Sequence, residues 1–592
     1  MANQGMPPQA SGPVSNAPMV VTLGSPRKRI RTFTVLLMIF TVACVGRLID
    51  LQIVRGSELA SQAENSRLQT FVVPALRGQI TDIDGNPIAM CVKARDVTAD
   101  QTLIGNPHQT ALILAPYLKM SAKKIEKRLT GNLRFSYVAK GITPELWGKI
   151  DKLNLKGILS QSTTTRIYPE GNLAASLLGF TGFTGQGLVG LESKFDELLS
   201  GKDGKQTVEM VNGAQIPTGP NSGTDAVDGG SIKLTIDHSI QAVAERALAR
   251  QVMAQHAIGG DVVVMDPKTF QILAMATYPT YNPNHPEKYS ANQQRNSAVQ
   301  DSFEPGSTSK IMTMAAVIEE GALKPTSKLV IPPSIRKGGT NFHDHEPHGT
   351  LHLTLNGVLA QSSNIGSIIA SNKIGQEKFL SYLRKFGIGQ LTGSGIYGEA
   401  SGDLPNPKNP NQWSDTTFPT LAFGQGLSVT ALQVASVYST IANNGVRLTP
   451  QILAGTTGAN GVYTPADPPT ATRVVSPKTA RIIREMLESV VSADGTAPAA
   501  QIPGYRVAGK TGTAQYSGGS VRGYSGYTAS FVGMAPAEDP ALVVAVMIHT
   551  PGGLHFGSLL SGPVFREVMM YSLAHRRVPP SSQKRPKIPV KW

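Results

Sequence analysis

A serine and a lysine three residues apart, Ser307 and Lys310 in the run Phe303-Glu-Pro-Gly-Ser-Thr-Ser-Lys310, are followed by Ser362-Ser363-Asn364 and then by Lys510-Thr511-Gly512-Thr513. These are the parts of a serine acyl-transfer site. A hydroxyl nucleophile needs a base within hydrogen-bond reach, and residues three apart on a helix share a face. A lysine base must lose its proton, so its unperturbed pKa of roughly 10.4 has to fall through burial or neighbouring cations. A lysine permits that; an arginine does not.

Three further Ser-x-x-Lys pairs, Ser25/Lys28, Ser121/Lys124 and Ser581/Lys584, show that the pair acquires meaning only from its surroundings. Ser25 and Ser581 lie in Pro-rich tails with no apolar run behind them, and Ser121 reads as the N-cap of the charged surface helix SAKKIEKRL. Ser307 differs. Pro305-Gly306 gives a sharp turn into a helix buried through Ile311, Met312, Met314, Ala315, Val317 and Ile318, and Gly321 stops it. The nucleophile is therefore expected at the N-terminus of a core helix, where the dipole and free N–H groups favour developing negative charge. Ser362-Ser363-Asn364 falls between two apolar-periodic stretches, Leu351 to Ala360 and Ile365 to Ile369, which predicts a short break between helices. From Val507 to Gln515, Gly509 and Gly512 punctuate a strand-like segment, and glycine there lets a ligand backbone approach closely. Lys510 and the hydroxyls of Thr511 and Thr513 would then face an anionic substrate group.

The elements that must hold these residues follow from composition and pattern. With 592 residues, 40% hydrophobic and 16% charged, the chain is long enough for two or more globular domains. Residues 1–26 are rich in Pro, Gly, Ser, Asn and Gln and are expected to be a disordered cytoplasmic tail. Arg27, Lys28, Arg29 and Arg31 precede the uncharged, mostly apolar run Thr32 to Gly46, and residues through Val54 extend its apolar face. Residues 27–54 therefore read as one membrane anchor, with the positive charge keeping the N-terminus in the cytoplasm and the rest outside. Cys44 and Cys91 fall in different regions, so no disulfide framework is expected. The net charge of +15 forms no dense stripe with interleaved aromatics, which argues against nucleic acid.

Residues 55–225 read as a strand-rich pedestal with a helical insertion near 101–160, and Asn212 to Gly230 is glycine-rich and turn-like. The second domain, 226–578, opens with a helix from Ser239 to His256, followed by a hairpin of Asp261 to Met265 and Phe270 to Ala276. A second hairpin, Ala529 to Met534 and Ala541 to His549, follows the Lys510 strand. Five antiparallel strands result, to be covered by the intervening helices and a last helix from Val564 to His575, an α+β architecture. Residues 579–592 are a basic Pro-rich tail that would face anionic lipid headgroups, wall polymers or solvent. His343, Asp344, His345, Glu346, His348 and His352 crowd into ten residues, but Pro347 and Gly349 break any helix and no H-E-x-x-H pattern is present. They read as a polar loop beside the site, and no metal or other cofactor is expected.

With its three motifs in this order, the chain resembles the penicillin-recognising serine transferases. Arg77 to Gly85, Arg166-Ile-Tyr-Pro169, Gly190-Leu-Glu192, Leu234-Thr-Ile-Asp237 and Phe423 to Thr430 are similar to motifs of class B penicillin-binding proteins. Glu304 and Thr511 look more like the septal, FtsI-like branch than the elongation branch. Trp413 to Gly445 and Tyr524 to Pro536 are similar to actinobacterial versions. Ile311 departs from the family, which often has proline there, and Asp82-Ile-Asp-Gly85 lacks the usual Arg-Asn pair.

The resemblance implies a penicillin-binding/β-lactamase-like transpeptidase domain and a peptidoglycan stem peptide ending in D-Ala-D-Ala as donor. Ser307 would be the nucleophile, Lys310 its base, Ser362 a proton relay, Asn364 an orienting group and Lys510 an electrostatic support. Thr511, Gly512 and Thr513 would bind substrate, with an oxyanion hole from the N–H groups of Ser307 and Thr513. β-Lactams would stall at the acyl stage. A SEDS-type, FtsW-like glycosyltransferase and other division proteins are the implied partners. An elongation-specific transpeptidase, a D,D-carboxypeptidase or β-lactamase, and a non-catalytic division scaffold are the competing readings.

Overall fold

The computed structural model describes residues 26–211, 214–216, 221–516, 526–550 and 556–592. The expected N-terminal tail and part of the glycine-rich turn after Asn212 lie outside the described residues. The chain divides into two compact units. One takes the described residues up to Phe71 together with Lys205–Thr224, the other Val72–Gly204 with Asp225–Trp592.

In the first unit, helix α1 (Pro26–Ile49) runs on through a π-helical turn, Asp50–Val54. The whole Pro26–Val54 stretch is long and apolar enough to cross a membrane, and its large apolar side chains are exposed. Arg47 is paired with Asp50 at 2.5 Å near its end. A helix, Gly56–Arg67, and a small sheet complete this unit, with Thr70 and Thr207 hydrogen-bonded across strands at 2.8 Å.

The second unit is built on two sheets. The first has seven strands, among them Ile80–Thr81, Pro87–Ala99, Ile158–Ile167 and Ser231–Leu234, and it also takes Leu453–Thr457 from more than two hundred residues downstream. The segment read as a helical insertion carries three helices, Pro107–Leu118, Ala122–Leu129 and Pro144–Asp151, and also a strand, Ser136–Ile142. It packs on its own apolar cluster, which includes Leu114, Ile125, Leu129 and Val138.

Three of the family-like motifs meet at one buried carboxylate. Glu192, with no exposed surface, accepts hydrogen bonds from Arg77 Nε and Arg166 Nε at 2.7 Å each and from the Tyr168 hydroxyl at 3.2 Å. Asp196 accepts from Gly187 N at 2.7 Å and from Arg77 Nη1 at 2.6 Å, and these bonds hold its carboxyl below the usual range despite desolvation. Burial and Glu192 push the Tyr168 phenol up.

The second sheet carries the candidate site. Helix α2 (His238–Ala254) leads into β1 (Gly259–Met265) and β2 (Ile272–Tyr278); β3 (Ala508–Tyr516), β4 (Gly526–Ala535) and β5 (Leu542–Thr550) come last. Their order is β2-β1-β5-β4-β3, all antiparallel, which leaves β3 at an edge. Both faces of the central strands are covered, so Val262 to Val264 and Leu542 to Ile548 are fully buried and read as unbroken apolar runs, not as alternations. α2 and the last helix, Gly557–His575, pack on the sheet, and so does the wholly buried helix Ala431–Ala442. The expected α+β architecture is therefore present, with the final helix beginning seven residues earlier than its apolar pattern alone suggested.

In residues 579–592 the basic side chains Lys584, Arg585, Lys587 and Lys591 are exposed, while the main chain is docked. The Val590 carbonyl accepts from Thr354 N at 3.0 Å, Pro589 O from Thr354 Oγ1 at 2.6 Å, and Ile588 O from Asn356 Nδ2 at 3.1 Å. Trp592 donates to Leu353 O at 3.0 Å and lies edge-on to His352. Prolines spare their carbonyls for such contacts, so a Pro-rich segment docks through its main chain even though its side chains look solvated.

Replacing Glu192 with alanine leaves Arg166 without a carboxylate and Arg77 with Asp196 alone, and removing one partner of a buried ion pair typically costs about 3–5 kcal/mol. We expect a loss of that size by urea unfolding of Glu192→Ala, and a loss below about 1 kcal/mol would show that the cluster is not a stability hub.

Candidate active site

Ser307 stands in a 3-10 turn, Gly306–Ser309, that runs directly into α3 (Lys310–Glu319). The sequence reading put the serine at the N-terminus of a core helix, and in the structure that end is a tight 3-10 turn. Gly306 makes that turn possible, with φ of +53° and a position where a Cβ would lie 2.9 Å from the Thr513 carbonyl. Thr308 and Ser309 hydroxyls donate back to Pro305 O and Gly306 O at 2.7 and 2.8 Å. Ile311, at the position often held by proline, is fully buried in α3. Gly321, at φ +66°, ends the helix as expected.

The turn is clamped by the Phe423 to Thr430 motif, whose role was not legible in the sequence. Gly306 N donates to Gly424 O at 3.0 Å, Phe303 and Val429 exchange backbone bonds at 2.9 Å, and Glu304 Oε1 accepts from Gly426 N at 2.9 Å. Tyr438 adds its hydroxyl to the Thr308 carbonyl at 3.0 Å.

Ser362-Ser363-Asn364 does lie in a break between two helices, α4 (Leu355–Ala360) and α5 (Asn364–Ser371). Ser362 has a left-handed backbone, φ +61°, a conformation that costs a non-glycine residue on the order of 1–3 kcal/mol. Its hydroxyl is the centre of the site. It lies 2.9 Å from Ser307 Oγ, 3.0 Å from Lys510 Nζ and 3.3 Å from Lys310 Nζ. Lys310 Nζ also donates to the Ser362 carbonyl at 2.5 Å and to Asn364 Oδ1 at 2.7 Å. The hydrogen-bonded path from Ser307 to Lys310 therefore runs through Ser362.

Lys510 comes from the edge strand β3. Gly512 lets that edge approach the nucleophile's turn, for a Cβ there would fall 2.4 Å from Ser530 Oγ and 2.9 Å from Thr308 Cγ2. The Thr511 hydroxyl is engaged by Lys510 Nζ at 3.3 Å and by Thr496 Oγ1 at 2.8 Å. Thr496, which the sequence did not mark, thereby joins the network. Ser307, Ser362, Asn364, Thr511, Gly512 and Thr513 line an open cleft of about 700 Å³, and both lysines are fully buried behind it.

Burial strips water from both ammonium groups. It brings Lys310 down to about 7, partly opposed by the charge of Asp344, and drives Lys510 well below its ordinary value, assisted by repulsion from Lys310. Two cations sharing one hydroxyl are not both stable here, so the pair carries fewer than two protons at neutral pH. A neutral Lys310 has two N–H donors and one lone pair, which matches its three contacts.

The crowded histidine segment borders the cleft through Asp344, His345, Glu346 and His348. Its members disperse to different partners: His348 Nε2 faces Asp344 at 3.0 Å, His345 packs edge-on to Phe556, and His352 lies against Trp592. The other Ser-x-x-Lys pairs have other surroundings where they are described. Ser121 precedes the helix Ala122–Leu129, Ser581 Oγ accepts from Arg506 N at 2.9 Å, and Ser25 lies outside the described residues.

Comparison with known proteins places this architecture in a family. Residues 260–570 match the penicillin binding protein transpeptidase domain, and residues 72–234 match the penicillin-binding protein dimerisation domain. The chain belongs to the class B penicillin-binding proteins, which join these two domains. It is similar to penicillin-binding protein PbpB of Mycolicibacterium smegmatis, 36% identical over 94% of this chain and 92% of that protein. The peptidoglycan D,D-transpeptidase FtsI of Escherichia coli K12 is 33% identical over 89% of this chain and 88% of that protein. Among solved structures, penicillin binding protein 3 of Mycobacterium tuberculosis in complex with aztreonam superposes with a TM-score of 0.69 at 32% identity, covering 88% of this chain and all of that one.

The lowered Lys310 makes a pH prediction with a definite sign. The base works only when neutral, so acylation by a penicillin should be fastest above about pH 7 and fall as pH drops through that value. Stopped-flow acylation rates across pH 5 to 10 check this, and a midpoint near an ordinary lysine value would contradict it. Gly512→Ala should lower the same rate roughly a hundred-fold by displacing the edge strand.

Proposed function

We propose that this protein is a peptidoglycan D,D-transpeptidase that cross-links stem peptides during septal wall synthesis, through an acyl-enzyme on Ser307. The observation that carries this reading is the continuous hydrogen-bonded path from Ser307 Oγ through Ser362 Oγ to a buried, low-pKa Lys310, opening on a cleft lined by Thr511 to Thr513. The relative named peptidoglycan D,D-transpeptidase FtsI supports it.

In the acylation step, Ser307 Oγ attacks the carbonyl carbon of the donor's penultimate D-alanine. Its proton passes to Ser362 Oγ as the Ser362 proton passes to Lys310 Nζ. Ser362 Oγ can accept from Ser307 and Lys510 while donating to Lys310, so each of its valences has a partner. Asn364 holds the Lys310 amine, and Lys510 steadies the relay. Thr511 and Thr513 hold the donor's terminal carboxylate, and the N–H groups of Ser307 and Thr513 stabilise the oxyanion, each such donor being worth about 2.7–4 kcal/mol. When the bond to the terminal D-alanine breaks, the relay returns the proton to the leaving amine. The amine of a second stem peptide then attacks the ester, forms the cross-link and frees Ser307. A β-lactam acylates the same oxygen, but its leaving group stays attached.

The Pro26–Val54 helix serves as a single-pass anchor with Arg27 to Arg31 on the cytoplasmic side and the catalytic domain outside, at the septum. The partner reading, which rests on the family resemblance, is an FtsW-like polymerase of the SEDS type together with other division proteins.

Ser307→Ala should abolish labelling by a fluorescent penicillin without a change in thermal unfolding, and adduct on any other serine would overturn the assignment. Given a stem-peptide donor and an amine acceptor, the purified enzyme should form cross-linked dimer in preference to hydrolysed peptide. Rapid hydrolysis of the β-lactam would instead indicate a lactamase, and cells depleted of the protein that still divide but become round would indicate an elongation enzyme.

A further inference from the structure

The reading above uses Ser362 and Asn364 but leaves open what holds them against Lys310. The two residues straddle a helix break, and Ser362 sits in a left-handed conformation that the surrounding structure must enforce. Ser362 N and Ser363 N donate to Leu359 O and Val358 O, and the segment that follows Ser362 is held by one carboxylate outside the three motifs. Asp344 Oδ1 accepts from Asn364 N at 2.6 Å and Ile365 N at 2.9 Å, the first N–H groups of α5. Asp344 Oδ2 accepts from Ser363 Oγ at 2.7 Å, while Ser363 Oγ itself accepts from Gly366 N at 2.9 Å. The neighbouring His343 carbonyl takes Asn364 Nδ2 at 3.3 Å, which fixes the amide so that Oδ1 points to Lys310.

We infer that Asp344 is the positioning residue of this active site: its carboxylate caps α5, fixes the Ser362 to Asn364 element against Lys310, and sets the electrostatic potential at the Lys310 amine. The side chain is nine-tenths buried and four donors converge on it, which is the geometry of a fixed negative charge at a helix N-terminus. His348 also meets this carboxylate: its Nε2 lies 3.0 Å from Asp344 Oδ2, and its Nδ1 faces the Gly349 carbonyl.

The charged groups that face Lys310 are Asp344 from the loop before α4 and Lys510 from β3; Ser362 and Asn364 supply the neutral contacts. Asp344 favours the protonated lysine and Lys510 disfavours it. The sequence reading of this segment as a polar loop beside the site located Asp344 but gave no sign of its contacts with Ser363, Asn364 and Ile365.

This inference rests on Ser307 acyl transfer, and labelling of the wild-type chain at Ser307 tests that reading separately. The experiment uses full-length protein in detergent and measures acylation by a fluorescent penicillin across pH, alongside thermal unfolding. Asp344→Asn keeps the shape and one acceptor oxygen but removes the charge. The expected result is an acylation rate lower by roughly ten- to hundred-fold at its optimum, with the midpoint of the pH profile moved to lower pH. His348→Leu removes one of the contacts that hold Asp344 Oδ2, so it should lower the acylation rate severalfold with thermal unfolding little changed. This second variant keeps the inference testable where Asp344→Asn fails to fold. An Asp344→Asn enzyme with an unchanged midpoint, or a His348→Leu enzyme with an unchanged acylation rate, overturns it.

Discussion

Everything in this site depends on burying an amine that would rather be charged. Lys310 has no exposed surface, and its Nζ is surrounded by a carbonyl, an amide oxygen and a hydroxyl, with no water-facing side. Desolvation is the largest influence on it and is what makes a lysine serve as a base near neutral pH. Lys510, equally buried, opposes a second positive charge. The nearby Asp344 charge pulls the other way, so the working value is a balance between burial and one fixed carboxylate.

The rest of the fold can be read as the means of keeping that environment closed and in register. The five-stranded sheet, covered on both faces, supplies a rigid edge in β3, and that edge carries Lys510 to the site. At Gly306 and Gly512 the edge strand and the Ser307 turn approach too closely for a Cβ. The Phe423 to Thr430 segment holds the nucleophile's turn from the other side through backbone bonds to Gly306 and Phe303. The C-terminal residues Ile588 to Trp592 dock on Leu353, Thr354 and Asn356, at the start of the helix that leads to Ser362.

What the sequence made legible was local. The Ser307 to Lys310 spacing, the break at Ser362, and the two apolar hairpins each reflect a short-range pattern, and the α+β architecture follows from their order. What it hid was non-local. The pairing of Leu453–Thr457 with Ser231–Leu234 joins segments with no mutual signal in the chain. Thr496 meets Thr511 only because the loop before β3 folds back on it. The last fourteen residues looked solvated by composition, yet main-chain carbonyls, which no composition reveals, fasten them down.

The central claim is that Lys310 is neutral under working conditions, and direct observation of its nitrogen tests it without relying on kinetics. The measurement is a pH titration of the Lys310 Nζ resonance in protein carrying 15N-labelled lysine, assigned by comparison with a Lys310→Met sample. The account predicts a transition near pH 7, with the amine neutral at pH 8. A Lys310 resonance that remains that of an ammonium through pH 9 would contradict it.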